Sequence, residues 1–344
     1  MVEVTLAEAK VAVRELLTET DLIPYLEGPP GVGKSDCVYQ IAQEQKWSGV
    51  KEIRLALCDP TDVKGLPWID KTPWNGGTKA RARWAPMGEL PDPEVDGETG
   101  IIFVDEYAQA VPSVQAALSQ MFLLHRIADW YQPKGWKVVA AGNPPGTGNV
   151  TYQMPVLMRT RMQWFHITPS LDAWKEWAWQ QGIDEMVIAF LNFKQDLLYR
   201  FTGRENAHPN PRSWARVSIL LKALPGSSLL DKHIAATIGE GPAAEFMAFR
   251  ELRHRLPDVE KIFAGQDIVP KDASILYALM GALVGECKRR GKGTVPRMFG
   301  YSEALQAEYA VLLIKDLARA MGRQVILSAE GGKKWAGKFR DVII

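Results

Sequence analysis

Residues 28–35, GPPGVGKS, constrain this chain more than any other stretch. Gly28, Gly31 and Gly33 cost backbone entropy and bury little, so they point to a backbone shape that side chains would obstruct. The preceding IPYLEG reads as a short strand, and KSDCVYQIAQEQ after it has the apolar spacing of a helix. Between them the residues match G-x-x-x-x-G-K-[ST], a phosphate-binding loop. In such a loop Gly28, Pro29, Pro30, Gly31, Val32 and Gly33 wrap phosphate oxygens with inward-turned backbone N–H groups. The helix beginning at Lys34 adds its positive N-terminal end. Lys34 is expected to reach the β- and γ-phosphates, and the Ser35 hydroxyl to sit on Mg²⁺.

A phosphate loop alone does not specify hydrolysis, which also needs an acid to organise the metal and a group to polarise water. GIIFVDEYAQA supplies both. Ile101 to Val104 form an unbroken apolar run, as in a parallel strand covered on both faces, and Asp105 and Glu106 follow it. Ligands of open α/β sheets bind at the carboxyl ends of strands, where these acids would emerge beside the loop. Asp105 is expected to hold the hydrated Mg²⁺ and Glu106 to orient and activate the attacking water. In WKVVAAGNPPGTG, Val138 to Ala141 read as a further buried strand, with Asn143 placed after it to bond the γ-phosphate or the water. Between these strands Val111, Val114, Leu118, Met121 and Leu124 recur at helical spacing, which completes a β–α–β unit and reads as core.

Composition bounds the rest. A chain of 344 residues predicts two domains. With 41 Lys plus Arg against 40 Asp plus Glu, no overall basic field gathers nucleic acid from a distance. No apolar run approaches a membrane span, and the acidic, amphipathic N-terminal residues do not read as a signal peptide, so a soluble, cytoplasmic protein is expected. Cys37, Cys58 and Cys287 are odd in number and lack metal spacing, and the five His are scattered; both fit a reducing compartment with no metal cluster.

The order of a phosphate loop, a strand ending in Asp-Glu, a strand ending at a polar residue and a helical region resembles the AAA+ ATPases, and more narrowly their MoxR-type branch, which includes many phage-encoded members. GPPGVGKS, CDPTDVKGLP, IIFVDEY, AAGNPPG, MPVLMRTRMQWFHITPSLDAWKEWA and PNPRSW carry the resemblance, spread over residues 25–220. It implies an α/β fold: a P-loop αβα parallel-sheet nucleotide domain over 1–168, then an all-α lid domain over 169–344. It also implies a hexameric ring with ATP and Mg²⁺ at subunit interfaces. Within LMRTRM the resemblance places the finger arginine at Arg161, with Arg159 as the alternative. A guanidinium stays charged, and its planar fork spreads over two phosphate oxygens. Arg212, in PNPRSW, matches the lid arginine that touches nucleotide within its own subunit.

Residues 58–90 combine Trp68, Trp74 and Trp84 with Lys79, Arg81 and Arg83. Such interleaving suits a single-strand stacking groove. It suits equally a β-hairpin insertion turning at WNGGTK and facing a ring pore or a partner. The neutral net charge and the resemblance, which implies an insertion here, favour the second.

From residue 169 the pattern is helical. SLDAWKEWAWQQG is expected to be capped by Ser170 or Asp172, and DEMVIAFLNFKQDLLYRF carries a stripe of Met186, Ile188, Phe190, Leu191 and Leu198. Further helices are expected near 213–224, 241–255, 272–290 and 302–321, separated by LPGSS, LPDVEKIFAGQDIVP and GKGTVPRMFGYS. The tail from Gly331 reads as a docking segment or a frayed end. Two functions compete: a remodelling ATPase acting on a protein client or, as the resemblance implies, a von Willebrand A-domain partner, and a nucleic-acid motor or loader using the Trp-rich insertion.

Overall fold

A computed structural model describes residues 2–75, 77–146, 150–201, 203 and 206–338. The chain divides into two compact units, Met1–Thr168 and Pro169–Ile344.

Ten strands lie in the first unit: β1 (Val2–Val4), β2 (Ile23–Glu27), β3 (Gly49–Arg54), β4 (Leu66–Trp74), β5 (Gly77–Ala85), β6 (Gly100–Asp105), β7 (Arg126–Ile127), β8 (Trp130–Tyr131), β9 (Trp136–Gly142) and β10 (Met162–Ile167). Six of them form one sheet in the order β1-β10-β2-β9-β6-β3, and every neighbouring pair is parallel. Alternate side chains of β6 enter opposite cores. Ile101 and Phe103 join Val139, Ala141 and the helices Leu6–Glu19 and Lys34–Glu44. Ile102 and Val104 join Val138, Ala140 and the helix Pro112–Leu124. An αβα sandwich thus explains why β6 and β9 read as continuous apolar runs rather than as alternating ones.

The helix Pro112–Leu124 corrects the expected core stripe at its two ends. Val114, Leu118 and Met121 are fully buried, but Val111 and Leu124 are exposed. Val111 is the N-cap and has extended backbone, and Leu124 is the last helical residue before the left-handed His125, so neither position faces the sheet.

Residues 66–85 form an antiparallel hairpin of β4 and β5, with Trp74 opposite Gly77 across the turn. Asn75 has φ +44°, as two-residue hairpin turns require, while Gly76 lies outside the described residues.

Among its described residues the second unit is entirely helical. Ser170, not Asp172, caps the helix Leu171–Gln180, its hydroxyl accepting from the Ala173 N–H. Trp174, Trp179, Phe190 and Trp214 fill the core, with Trp177 and Phe193 packed against it. The sequence pattern errs in four places, one of them LPDVEKIFAGQDIVP, which is no mere separator because it carries the short helix Val259–Phe263 capped by Asp258. The stripe through Leu198 is not one helix, because Glu185–Phe193 stops at the non-helical Lys194 and a short 3₁₀ turn Gln195–Leu198 follows. GKGTVPRMFGYS is not a separator, since Val295–Glu303 is a helix with Pro296 in its first turn, where the missing N–H has no helical partner to lose. The segment after LPGSS carries a further helix, Leu230–Ile238. Helices over Arg323–Ser328 and Gly332–Lys338 follow, and residues 339–344 of the tail lie outside the described residues.

Candidate phosphate-binding site

The carboxyl ends of β2, β9, β6 and β3 lie side by side, with Glu27 opposite Gly142, Val104 opposite Ala140 and Arg54 opposite Asp105. The phosphate loop leaves the end of β2. Gly31 and Gly33 have φ of +80° and +102°, a region that L side chains rarely enter. A Cβ on Gly33 would also come within 2.8 Å of Leu6, and one on Gly28 within 3.1 Å of Ile167, so the loop is packed from behind by the first helix and β10.

Lys34 opens the helix Lys34–Glu44 and is only 8% exposed. Its ammonium donates to the carbonyls of Gly28 (2.7 Å) and Pro29 (3.2 Å) and to Asn143 Oδ1 (2.8 Å). Lys34 and Asn143 stand 109 positions apart in the chain, so this contact joins the phosphate loop to the end of β9. Asn143 is itself buried. Ser35 Oγ donates to Asp105 Oδ2 at 3.0 Å. A hydroxyl and a carboxylate side by side are hard oxygen donors, the set that Mg²⁺ takes together with phosphate oxygens. Glu106 has φ +57° and ψ +32°, an uncommon left-handed conformation for this residue, and its N–H donates to Asp105 Oδ1 at 2.8 Å. Strain of this kind costs about 1–3 kcal/mol and persists where the surroundings over-determine it. Both acids are half-buried.

Lys34, Ser35, Asp105, Glu106 and Asn143 therefore come together at one end of the sheet, around residues Gly28 to Gly33. Arg159 and Arg161 do not contact them. Arg159 ends the short helix Val156–Arg159, Arg161 precedes β10, and both side chains are exposed. Arg212 lies in the second unit, exposed in the first turn of Pro211–Ala223, whose Asn210 cap accepts from the Ser213 N–H.

Three further groups border the site and carry no signal in the sequence. Arg54, at the end of β3, brings its charge next to Asp105 and Glu106 while its Nε donates to Glu52 Oε1 at 2.7 Å. Burial works to raise the Glu52 carboxyl, but hydrogen bonds from Arg54 and Tyr39 outweigh it and hold the group below the usual carboxylate range. Glu27, the residue before the loop, meets His166 Nδ1 at 3.0 Å across the β2–β10 pair. Strand register creates the Glu27–His166 contact, while Glu52 meets Arg54 two residues along β3 and Tyr39 from the helix Lys34–Glu44.

No protein-family model matches the chain, and no curated protein does. Solved structures do. NtrX from Brucella abortus in complex with ADP is 13% identical, with a TM-score of 0.40 over 98% of this chain and 68% of that one. A RuvB variant from Thermotoga maritima is 17% identical, with a TM-score of 0.38 over 81% of this chain and 79% of that one. PCH-2 from C. elegans is 13% identical, with a TM-score of 0.30 over 73% of this chain and 66% of that one. Among the described residues no helix is long and apolar enough to cross a membrane. No group of three or more His, Cys, Asp or Glu among the described residues is placed to hold a metal ion.

Proposed function

We propose that this chain is an AAA+ ATPase of the MoxR type that hydrolyses ATP with Mg²⁺ at the interfaces of a hexameric ring and uses the cycle to remodel a protein client or a von Willebrand A-domain partner. The observation that carries the hydrolytic reading is the joint placement of Lys34 with Asn143 (2.8 Å) and of Ser35 with Asp105 (3.0 Å) at the mouth of the phosphate loop.

The glycine N–H groups of the loop and the start of the Lys34 helix take the β-phosphate, and Lys34 exchanges its carbonyl partners for β- and γ-oxygens. Ser35 and Asp105 would hold Mg²⁺, which would neutralise charge developing on the phosphates. Glu106 orients a water against the γ-phosphorus and accepts its proton as the bond to the ADP oxygen breaks. Asn143 presents its amide N–H to that water or to the γ-phosphate. Arg161 of an adjacent copy, with Arg159 as the alternative, meets the charge that builds on the γ-phosphate. Arg212 reads the nucleotide from the lid, and residues 1–168 and 169–344 serve as the nucleotide and lid domains.

Glu106→Gln is expected to bind Mg²⁺-ATP with unchanged affinity and to stall, and Lys34→Ala to lose nucleotide binding. Normal turnover by Glu106→Gln, measured as phosphate release, would remove the acid assignments.

A further inference from the structure

The β4–β5 hairpin is a two-stranded ribbon with no core of its own. Apart from the half-buried Asp70 and Trp84, every described side chain of its strands is exposed. An isolated ribbon is marginal in water, and exposed tryptophans add nothing to its folding. Something other than packing has to account for Trp68 and Trp74, which are 51% and 58% exposed.

Register sorts the ribbon into two unlike faces. Trp68 stands opposite Arg83, Asp70 opposite Arg81 and Thr72 opposite Lys79. Because side chains alternate along a strand, Trp68, Asp70, Thr72 and Trp74 share one face with Lys79, Arg81 and Arg83. Ile69, Lys71, Ala80, Ala82 and Trp84 belong to the other, which carries one cation and the half-buried ring. The Lys79 ammonium lies 4.7 Å from the centre of the Trp74 ring, as this assignment requires. Among the described residues Lys79 and Arg81 form no ion pair, while Arg83 lies 3.6 Å from Asp129. Alternate residues of β5 are about 7 Å apart, so the three cations form a row along the ribbon.

The edges are closed to another strand. The Trp84 backbone N–H points outward and donates to Asp129 Oδ2 at 2.7 Å, which makes the Pro67–Trp84 rung a non-hydrogen-bonded one. Pro67 and, at the same parity, Pro73 occupy outward N–H positions of β4, where proline leaves the ladder intact but removes donors from its edge. A peptide adding as a strand to β4 would lack those bonds. What remains is a face with two exposed rings and a row of three cations, with Asp70 opposite Arg81.

We propose that this face binds single-stranded nucleic acid, with Trp68 and Trp74 stacking on bases and Lys79, Arg81 and Arg83 following the phosphates. Base–aromatic stacking tolerates any sequence, and a row of cations matches a backbone carrying one charge per nucleotide. The neutral net charge counts against gathering nucleic acid from a distance, but register places three cations on one face, and their attraction is local. The inference stands apart from ATP hydrolysis and holds even if the phosphate loop does nothing.

The test is fluorescence anisotropy of a labelled oligothymidylate with the full chain, without nucleotide, over a series of salt concentrations. Trp68→Ala/Trp74→Ala is expected to weaken binding by at least about tenfold, while the corresponding Phe variant retains most of it. Lys79→Ala/Arg81→Ala is expected to reduce the slope of log affinity against log salt by about 1.4, the share of two single-strand phosphate contacts. Unchanged melting temperatures would show the variants folded, as expected for a ribbon without a core. Absence of binding at low salt, or equal binding by the variants, would overturn the proposal. Polyglutamate bound as tightly as the oligonucleotide and lost in the same variants would overturn it in favour of an acidic protein segment.

Discussion

Among the described residues each unit buries one lysine, and the two are held differently. Lys34 meets two backbone carbonyls and an amide oxygen, which orient its ammonium within the loop. Lys175, 1% exposed, meets Asp316 at 3.0 Å and Asp172 at 3.5 Å and donates to Asn192. Asn192 in turn donates to Asp316, and Arg319 bridges Asp316 and Asp172. The second network satisfies its own charges and ties the helices Leu171–Gln180, Glu185–Phe193 and Ala307–Met321 together. These bonds of Lys34 lie at the loop and the end of β9, whereas those of Lys175 run to carboxylates that pack three helices. On this account Lys34 serves chemistry and Lys175 serves folding.

The largest effects expected are on turnover. Arg161→Ala should lower it by about 10³–10⁵, the loss typical of a removed arginine finger, while leaving the melting temperature unchanged. Glu106→Gln should lower it by about 10²–10⁴. Stability comes next and separates the lysines directly. Lys175→Met takes one of two cations from the buried Asp316, Arg319 remaining, and should cost about 1.5–3 kcal/mol in urea unfolding. Lys34→Met should change stability by about 1 kcal/mol or less. Equal losses from the two would break the comparison. The core of the first unit adds a control, since Leu118→Ala should cost about 2–5 kcal/mol and Leu124→Ala under about 0.5 kcal/mol.

The smallest effect concerns pH. Burial works to raise Asp172, but the charges of Arg319 and Lys175 outweigh it and hold its carboxyl below the usual range. A carboxyl depressed in the folded state adds stability above its unfolded value, about 3.9, and loses it as pH falls through the folded value. Asp172→Asn should therefore flatten the acid limb of stability measured by urea unfolding.

How much of this could be read from sequence depended on how far apart the interacting residues lie. The candidate phosphate loop is legible because its chemistry needs glycines, a lysine and a serine at fixed spacing within eight consecutive residues, 28–35. The runs before Asp105 and Asn143 are legible because a strand between two helical layers has no polar face. The three-residue β1 is too short to carry a period, and Pro296 reads as a break although it opens a helix. The contact between His166 and Glu27 spans 139 positions and follows only from strand order, which no local pattern records. Arg54 is visible as a site neighbour for the same reason only once β3 is seen beside β6. The hairpin was legible as a hairpin, but its two-faced character needed the register.

The central claim, a nucleotide site shared between copies of this chain, is tested most directly by mixing Arg161→Ala and Glu106→Gln proteins and measuring ATP hydrolysis. Each alone should be inactive. Mixed rings place an intact Glu106 against an intact Arg161 at some interfaces, so the account predicts that activity returns on mixing. Arg161→Ala active alone, or no recovery from any mixture, would contradict it.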